Sequence, residues 1–250
     1  MAEATFYNLV ENLEHYLEYQ RDNGVRRLEV DRAVVAELNQ TATTSSPPQT
    51  PVKTIEIPSE FKSMAEVESY VSICRNCVLH QTRQHSVPGE GLTDHPDIFF
   101  IGEAPEAEED AQGRPFVGAA GQLLTKMIAA MGYRRDEVFI TNVMKCCPPN
   151  KRLPLPEEIA ACQFYLEQQI KLVQPKVIVA LGATALRGLL GNDARIMKLQ
   201  GTWQTYKSIP LMPTFHPISL LRDSSKKKIA WADLKEVLTK LGKKPPERKK

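Results

Sequence analysis

The chain has 250 residues, of which 42% are hydrophobic and 25% charged, with a formal net charge of +2. That balance is ordinary for a globular protein with one substantial domain plus an appendage, and it excludes collagen-like, low-complexity and strongly acidic or basic classes. No apolar run is long enough to span a bilayer, and the start of the chain lacks a basic segment followed by an apolar one, so the expectation is a cytoplasmic protein with no membrane partner.

Near the amino terminus Phe6, Leu9, Val10, Leu13, Tyr16 and Leu17 recur at three- and four-residue spacing, which predicts an amphipathic helix ending at Asn23-Gly24. A second short helix includes Val34, Val35 and Leu38. Residues 1–39 are therefore expected to form a helical appendage, suited to docking a protein partner rather than to catalysis. Residues 40–60 are expected to form a flexible linker, because its polar, proline-rich stretch over 40–52 has nothing to bury. The main domain is expected over 61–242, followed by a basic tail over 243–250. Lys226-Lys227-Lys228 and that tail are locally basic, which suits a solvated surface as well as it suits DNA.

Within the main domain a helix over 63–73 leads into Cys74 and Cys77. Four short apolar runs follow at Ile98–Ile101, Val138–Ile140, Val177–Leu181 and Ile209–Phe215. Helical patterns at Gly121–Met131 and Glu157–Val173 separate the first three, and a further helix is expected over Ala183–Leu190. Continuous apolar strands alternating with helices indicate an α/β fold, a parallel sheet covered on both faces. In such sheets functional residues gather beyond the carboxyl ends of the strands.

Three of those ends carry polar groups. The first strand leads into Gly102-Glu103-Ala104-Pro105, a tight loop followed by Gly113-Arg114-Pro115-Phe116-Val117-Gly118. The second ends at Asn142-Val143-Met144-Lys145-Cys146, and the fourth at Phe215-His216-Pro217. An acid, an amide and an imidazole then stand at one sheet edge.

Five cysteines in a cytoplasmic chain do not suggest a disulfide frame. By count, four thiolates suit zinc or an iron–sulfur cluster equally.

The ordered set GEAP-x-x-x-ED-x-x-GRPFVG-x-AG, TNVMKC-x-PP-x-x-R, VIVALGATAL and FHP-x-x-LLR resembles the family 4 uracil-DNA glycosylases, the iron–sulfur branch of the uracil-DNA glycosylase superfamily. The resemblance runs from about Cys74 to the helix containing Trp231, roughly two thirds of the chain. It implies a three-layer sandwich around a four-stranded parallel sheet. It also implies a DNA-repair enzyme that hydrolyses the N-glycosidic bond of deoxyuridine in DNA, releasing uracil and leaving an abasic site.

The same resemblance assigns roles to residues. Cys74, Cys77, Cys146 and Cys162 would ligate a 4Fe–4S cluster of structural role, with Cys147 beside it, although the adjacent Cys146 and Cys147 leave a swap open. Phe116 would stack on the uracil ring, a contact type worth about 1–3 kcal/mol, in a pocket lined by Gly102 and Ala104. Asn142 would read O4 and N3–H, and His216 would donate to O2 of the leaving base. Glu103 would orient water or offset charge on the sugar, and Glu109 would help exclude the methyl group of thymine. Ser219, Leu220, Leu221 and Arg222 lie in a segment that resembles the family's minor-groove loop. There one of the two leucines would wedge into the vacated stack, and Arg222 would meet phosphate.

Ala104 stands where other branches carry an aspartate, so leaving-group stabilisation is expected to dominate over water activation. No Arg-rich, histidine-bearing insertion precedes Lys198-Leu199-Gln200-Gly201, which disfavours the branch that stays joined to its product. The expected enzyme is a monofunctional hydrolase, acting as a monomer on uracil-containing DNA. One departure stands out: Glu106 replaces the family's usual glycine, with possible crowding of the pocket and backbone strain if that position needs positive φ. It keeps open a same-fold glycosylase for another deaminated base, hypoxanthine or xanthine. A different class of reading is a catalytically silent iron–sulfur DNA-binding protein.

Overall fold

The computed structural model describes residues 57–246 apart from Asn192, together with Leu17 and Gln20. Beyond those two residues, the helices expected over 1–39 lie outside the described residues, as do most of the linker and residues 247–250. In chain order the first elements are α1 (Met64–Ile73), β1 (Glu90–Gly91), β2 (Ile98–Gly102), α2 (Ala107–Gln112), α3 (Ala119–Ala130) and β3 (Phe139–Asn142). They are followed by α4 (Pro156–Val173), β4 (Val177–Leu181), α5 (Ala183–Leu190), α6 (Ile196–Leu199), β5 (Gln204–Tyr206), β6 (Ile209–Thr214), α7 (Pro217–Arg222) and α8 (Lys226–Lys240).

Local chemistry sets several of these boundaries. Ser63 caps α1 by accepting the Glu66 N–H at 3.3 Å. Proline occupies the first turn of α4 and of α7, where its missing N–H costs nothing. The segment read from sequence as a loop over Pro217–Arg222 is thus a short helix. His216 caps it, its Nδ1 accepting the Ile218 N–H at 3.2 Å.

The four apolar runs are the four central strands. The sheet is larger than expected, however: six strands in the order β1-β3-β2-β4-β6-β5. β2, β3, β4 and β6 are parallel, whereas β1 and β5 pair antiparallel at the two edges. Glu90-Gly91 and Gln204-Thr205-Tyr206 carry no apolar run because an edge strand is covered on fewer sides. Every residue of β2, β3 and β4 is buried, as a sheet with helices on both faces requires.

One face packs Ile98, Phe100, Ile140, Val179 and Met212 against Leu124 and Ile128 of α3 and Leu234, Val237 and Leu238 of α8. α5 packs on β2 and β4. A smaller core joins α1 to α4 through Phe61, Val67, Val71 and Tyr165, with Ile57 packed against it. At the other end of the domain Lys243 Nζ reaches Asp97 at 2.7 Å and lies 4.5 Å from the Tyr133 ring centre.

The chain leaves β2 for β3 on one side and returns to β4 on the other. The crevice between β2 and β4, beyond their carboxyl ends, is therefore the topological switch point at which open α/β sheets bind ligands. Leu234→Ala, in the core and away from that crevice, is expected to cost about 2–5 kcal/mol by leaving a cavity. Denaturant titration would show the midpoint falling with an unchanged slope.

Candidate active site

The ends of β2 and β3 are paired in register, Gly102 opposite Asn142. A Cβ built on Gly102 would lie 2.3 Å from Asn142 Oδ1 and 2.4 Å from Phe116 Cζ. The strand can therefore end in no residue but glycine if the amide and the ring are both to close over it. Gly121 performs a similar service from the other direction, since a Cβ there would meet the Phe116 carbonyl oxygen at 1.7 Å.

Phe116 is 4% exposed and holds φ at 52°, a left-handed conformation that costs a bulky residue about 1–3 kcal/mol. Glu109, buried in α2, stabilises that turn by accepting hydrogen bonds from the backbone N–H groups of Glu106, Phe116 and Val117. Burial, followed by the nearby charge of Glu106, pushes the Glu109 carboxyl up to about 7. Glu109 therefore clamps the backbone of the Phe116 turn. The Phe116 ring in turn faces His216, with centres 5.6 Å apart and planes 31° off parallel.

Asn142 carries the clearest signal. It is 1% exposed, and both Nδ2 and Oδ1 are buried without a hydrogen-bond partner. Each such group costs about 1–3 kcal/mol relative to a satisfied one. A donor and an acceptor held side by side and unpaired are a binding edge for a planar ligand that offers an acceptor next to a donor.

Its main chain is fixed by a buried hub. Lys145 Nζ donates to the Asn142 carbonyl at 2.6 Å, to Thr141 Oγ1 at 2.7 Å and to Gln169 Oε1 at 2.6 Å. Burial lowers the Lys145 ammonium to about 7, against the opposing pull of Cys162 and Cys146. Sequence reading quoted Lys145 within its motif but gave it no role, because nothing in the spacing shows that it turns inward.

His216 is half-buried, and desolvation of its ring, then the positive charge of Arg222, lowers its imidazole to about 4. It is neutral at pH 7. Since Nδ1 accepts the Ile218 N–H, the ring proton resides on Nε2, which makes His216 a neutral donor. Glu103, beside β2, has its Oε2 held by Thr184 Oγ1 at 2.6 Å, and its carbonyl accepts the Met144 N–H at 3.0 Å.

Other expected residues are placed differently. The Ala104 methyl packs with Leu79, Met144, Cys146 and Cys162, on the cysteine side of the loop. Leu220 is buried against Phe215 and Ala230, while Leu221 is 48% exposed, and Ser219 and Arg222 flank them in α7. Glu106 has φ −91°, extended backbone open to any residue, so the strain considered for this position is absent.

Cys74, Cys77, Cys146 and Cys162 line one cavity together with His80, Arg83, Lys145 and Tyr165. Arg83 Nη1 donates to Cys146 Sγ at 3.0 Å, and its other nitrogen binds the Ser72 and Cys74 carbonyls. Burial raises the Cys77 thiol to about 11 and the Cys162 thiol to about 12, so these sulfurs favour thiolate form only with cationic chemistry beside them.

Cys147 is not among the lining residues. Its Sγ faces the Pro148 carbonyl, and burial, then the nearby charges of Asp110, Glu109 and Glu106, oppose its ionisation. A single zinc needs its sulfurs about 2.3 Å from one point. Among the described residues no three histidine, cysteine or acidic side chains converge closely enough to share one ion. Four thiols around one cavity, with the Arg83 guanidinium beside them, are a donor set suited to a thiolate-bound metal or metal cluster.

A model of the uracil DNA glycosylase superfamily matches residues 88–235. A type-4 uracil-DNA glycosylase of Thermotoga maritima is 49% identical over 166 residues, 65% of this chain and 85% of the relative. One from Sulfurisphaera tokodaii is 44% identical over 184 residues, 70% and 83% of the two chains. One from Archaeoglobus fulgidus is 38% identical over 196 residues, 74% and 97%.

The protonation of His216 is directly measurable. Its folded pKa lies below the value of 6.5 for an ordinary histidine. Between those two values the unfolded chain binds more protons, so stability is complete above about pH 6.5 and falls as pH drops toward 4. Nitrogen NMR of labelled histidine should show the His216 Nε2–H tautomer unchanged at pH 6. A ring titrating near 6.5 would contradict the assignment.

Proposed function

The chain belongs to the uracil DNA glycosylase superfamily and is a DNA-repair uracil-DNA glycosylase, and we propose that it is a monofunctional hydrolase that reads the flipped base with the Asn142 amide. The observation that carries this reading is the unpartnered, buried amide of Asn142 beside the Phe116 ring and the His216 imidazole. Uracil offers O4 next to N3–H, an acceptor beside a donor, which Nδ2 and Oδ1 of Asn142 complement. Cytosine presents the reverse edge and would leave both groups mismatched. A base inside a duplex is out of reach of such a pocket, so the nucleotide must leave the stack and lie against Phe116.

The chemistry then follows from where charge develops. The bond between C1′ and N1 breaks with its electron pair going to the base, so negative charge spreads over N1 and O2 and the sugar becomes an oxocarbenium ion. His216 donates Nε2–H to O2. A neutral donor stabilises the leaving anion without first protonating the base, and in a water-excluded site such contacts carry much of the rate enhancement. Water bonds to C1′ and loses a proton, uracil takes one, and the products are free uracil and an abasic sugar. Glu103, held by Thr184, offsets the positive sugar or orients that water. Lys145 is engaged with three oxygens and is no nucleophile, so no strand cleavage is expected.

On the DNA side, Leu221 is the exposed leucine of α7 and is the proposed wedge, with Ser219 and Arg222 meeting the backbone; Leu220 serves the core. Cys74, Cys77, Cys146 and Cys162 would hold a 4Fe–4S cluster, which supplies a structural cross-link between the turn after α1, the exit of β3 and α4. Among the described residues no helix is long and apolar enough to cross a membrane. The proposed enzyme acts as a monomer in the cytoplasm. The expected amino-terminal appendage would dock a protein partner.

Base release from matched oligonucleotides tests the reading. Uracil should be released, and thymine and hypoxanthine should not. His216→Ala should lower the rate about 100- to 1,000-fold, as loss of a single donor to a developing oxyanion does elsewhere. Asn142→Ala should lower kcat/KM about 10- to 100-fold. Cluster-loaded protein that releases no uracil would overturn the proposal. For the cysteines, Cys147→Ser should keep the brown cluster absorbance and Cys146→Ser should lose it; the reverse pattern would exchange the ligand assignment.

A further inference from the structure

Three strand exits supply the groups assigned above, those of β2, β3 and β6, and the exit of β4 has been given none. Yet β4 lies between β2 and β6, and the turn that follows it touches two of those groups. Gly182 holds φ at +88°, and a Cβ there would lie 2.9 Å from His216 Cβ. Two residues on, Thr184 is 6% exposed and its Oγ1 donates to Glu103 Oε2 at 2.6 Å. The Gly182 N–H in turn donates to the Thr214 carbonyl at 2.8 Å, which anchors the turn to the end of β6, two residues before His216.

We propose that the Gly182–Thr184 turn is a positioning element for the reaction, with Thr184 aiming the Glu103 carboxylate and Gly182 setting the depth of the His216 ring. This rests on the reading in which Glu103 and His216 act on the reacting sugar and base. The physical case is one of orientation. Glu103 follows a glycine in a loop, and a carboxylate on such a loop has several rotamers open to it. A short hydrogen bond from a buried hydroxyl, itself fixed at the start of a helix, selects one rotamer and holds it across the crevice where the loops after β2 and β4 meet. A charge that is held in place needs no reorganisation as the sugar becomes positive. The contact at Gly182 is steric. Any side chain there would both strain the backbone and press on the base of the His216 side chain, moving Nε2 away from O2.

Thr184→Val and Thr184→Ser separate this role from packing. Valine keeps the shape and removes the hydroxyl; serine keeps the hydroxyl. Single-turnover uracil release is the readout, with thermal melts to confirm that each variant is folded. Thr184→Val should lower the chemical rate about 10-fold or more with KM nearly unchanged, as expected for a lost hydrogen bond to a charged group. Thr184→Ser should restore most of it. On a Glu103→Gln background, Thr184→Val should add little, because the group it aims is already altered. Gly182→Ala should act through His216 and therefore multiply with Thr184→Val.

The inference is overturned if Glu103→Gln is impaired while Thr184→Val matches the wild type. It is equally overturned if Thr184→Val and Thr184→Ser fall together, or if the effect of Thr184→Val persists in full beside Glu103→Gln. A fully active Glu103→Gln would instead remove the role given to Glu103 itself.

Discussion

Closure of the pocket depends on the absence of one carbon atom at the end of β2. With any side chain at Gly102, Asn142 and Phe116 could not both lie over the strand end, since each would collide with a Cβ at less than 2.5 Å. Granted that glycine, the rest follows in sequence. The ring of Phe116 forms one wall, and its strained turn is held from behind by Glu109. The amide of Asn142, the proposed reading edge, is fixed through its own carbonyl by Lys145. His216 lies against the ring from the exit of β6. The two unpaired amide atoms of Asn142 are a cost that the proposed base contact would relieve.

Burial also sets the charge state of the donor. A histidine at its ordinary pKa would be partly cationic near neutrality, and a cation buried beside Arg222 is unfavourable. The pocket resolves this by keeping the imidazole neutral and fixing its tautomer through the start of α7. The same short helix that His216 caps presents Leu221 outward, so in the proposed reaction the wedge and the donor would move as one piece. On the other side of the β3 exit, Lys145 lines the cysteine cavity while gripping the backbone of Asn142. The cysteine cavity and the Asn142 backbone thus share one buried side chain, through which a group held by the cysteines would be coupled to the proposed pocket.

Much of this was legible in the sequence, for physical reasons that differ by residue. The four central strands announce themselves because they are buried on both faces and so read as unbroken apolar runs. β1 and β5 do not, because two or three polar residues at a sheet edge have no pattern to show. Asn142, His216 and Phe116 could be singled out from motifs at strand ends, but not the facts that give them function. The missing partners of the amide, the positive φ of Phe116 and the tautomer of His216 are properties of three-dimensional packing. The choice between Leu220 and Leu221 depends on helix phase, which a segment read as a loop cannot supply. Whether Glu106 carries strain turns on its backbone conformation, which residue identity does not set and which is extended. Cys146 and Cys147 are neighbours in sequence and point into different surroundings, one toward Arg83 and the other toward the Pro148 carbonyl.

The most direct test of the account is the response of the Asn142 side chain to the free base. Nitrogen–proton spectra of the labelled protein, with the Asn142 amide assigned by its loss in Asn142→Asp, would be followed during titration with uracil and, separately, cytosine. The account predicts that uracil shifts the Asn142 Nδ2 signals toward a hydrogen-bonded position and that cytosine at equal concentration leaves them in place. Uracil binding that leaves those signals unmoved, with shifts confined to other parts of the sheet edge, would contradict it.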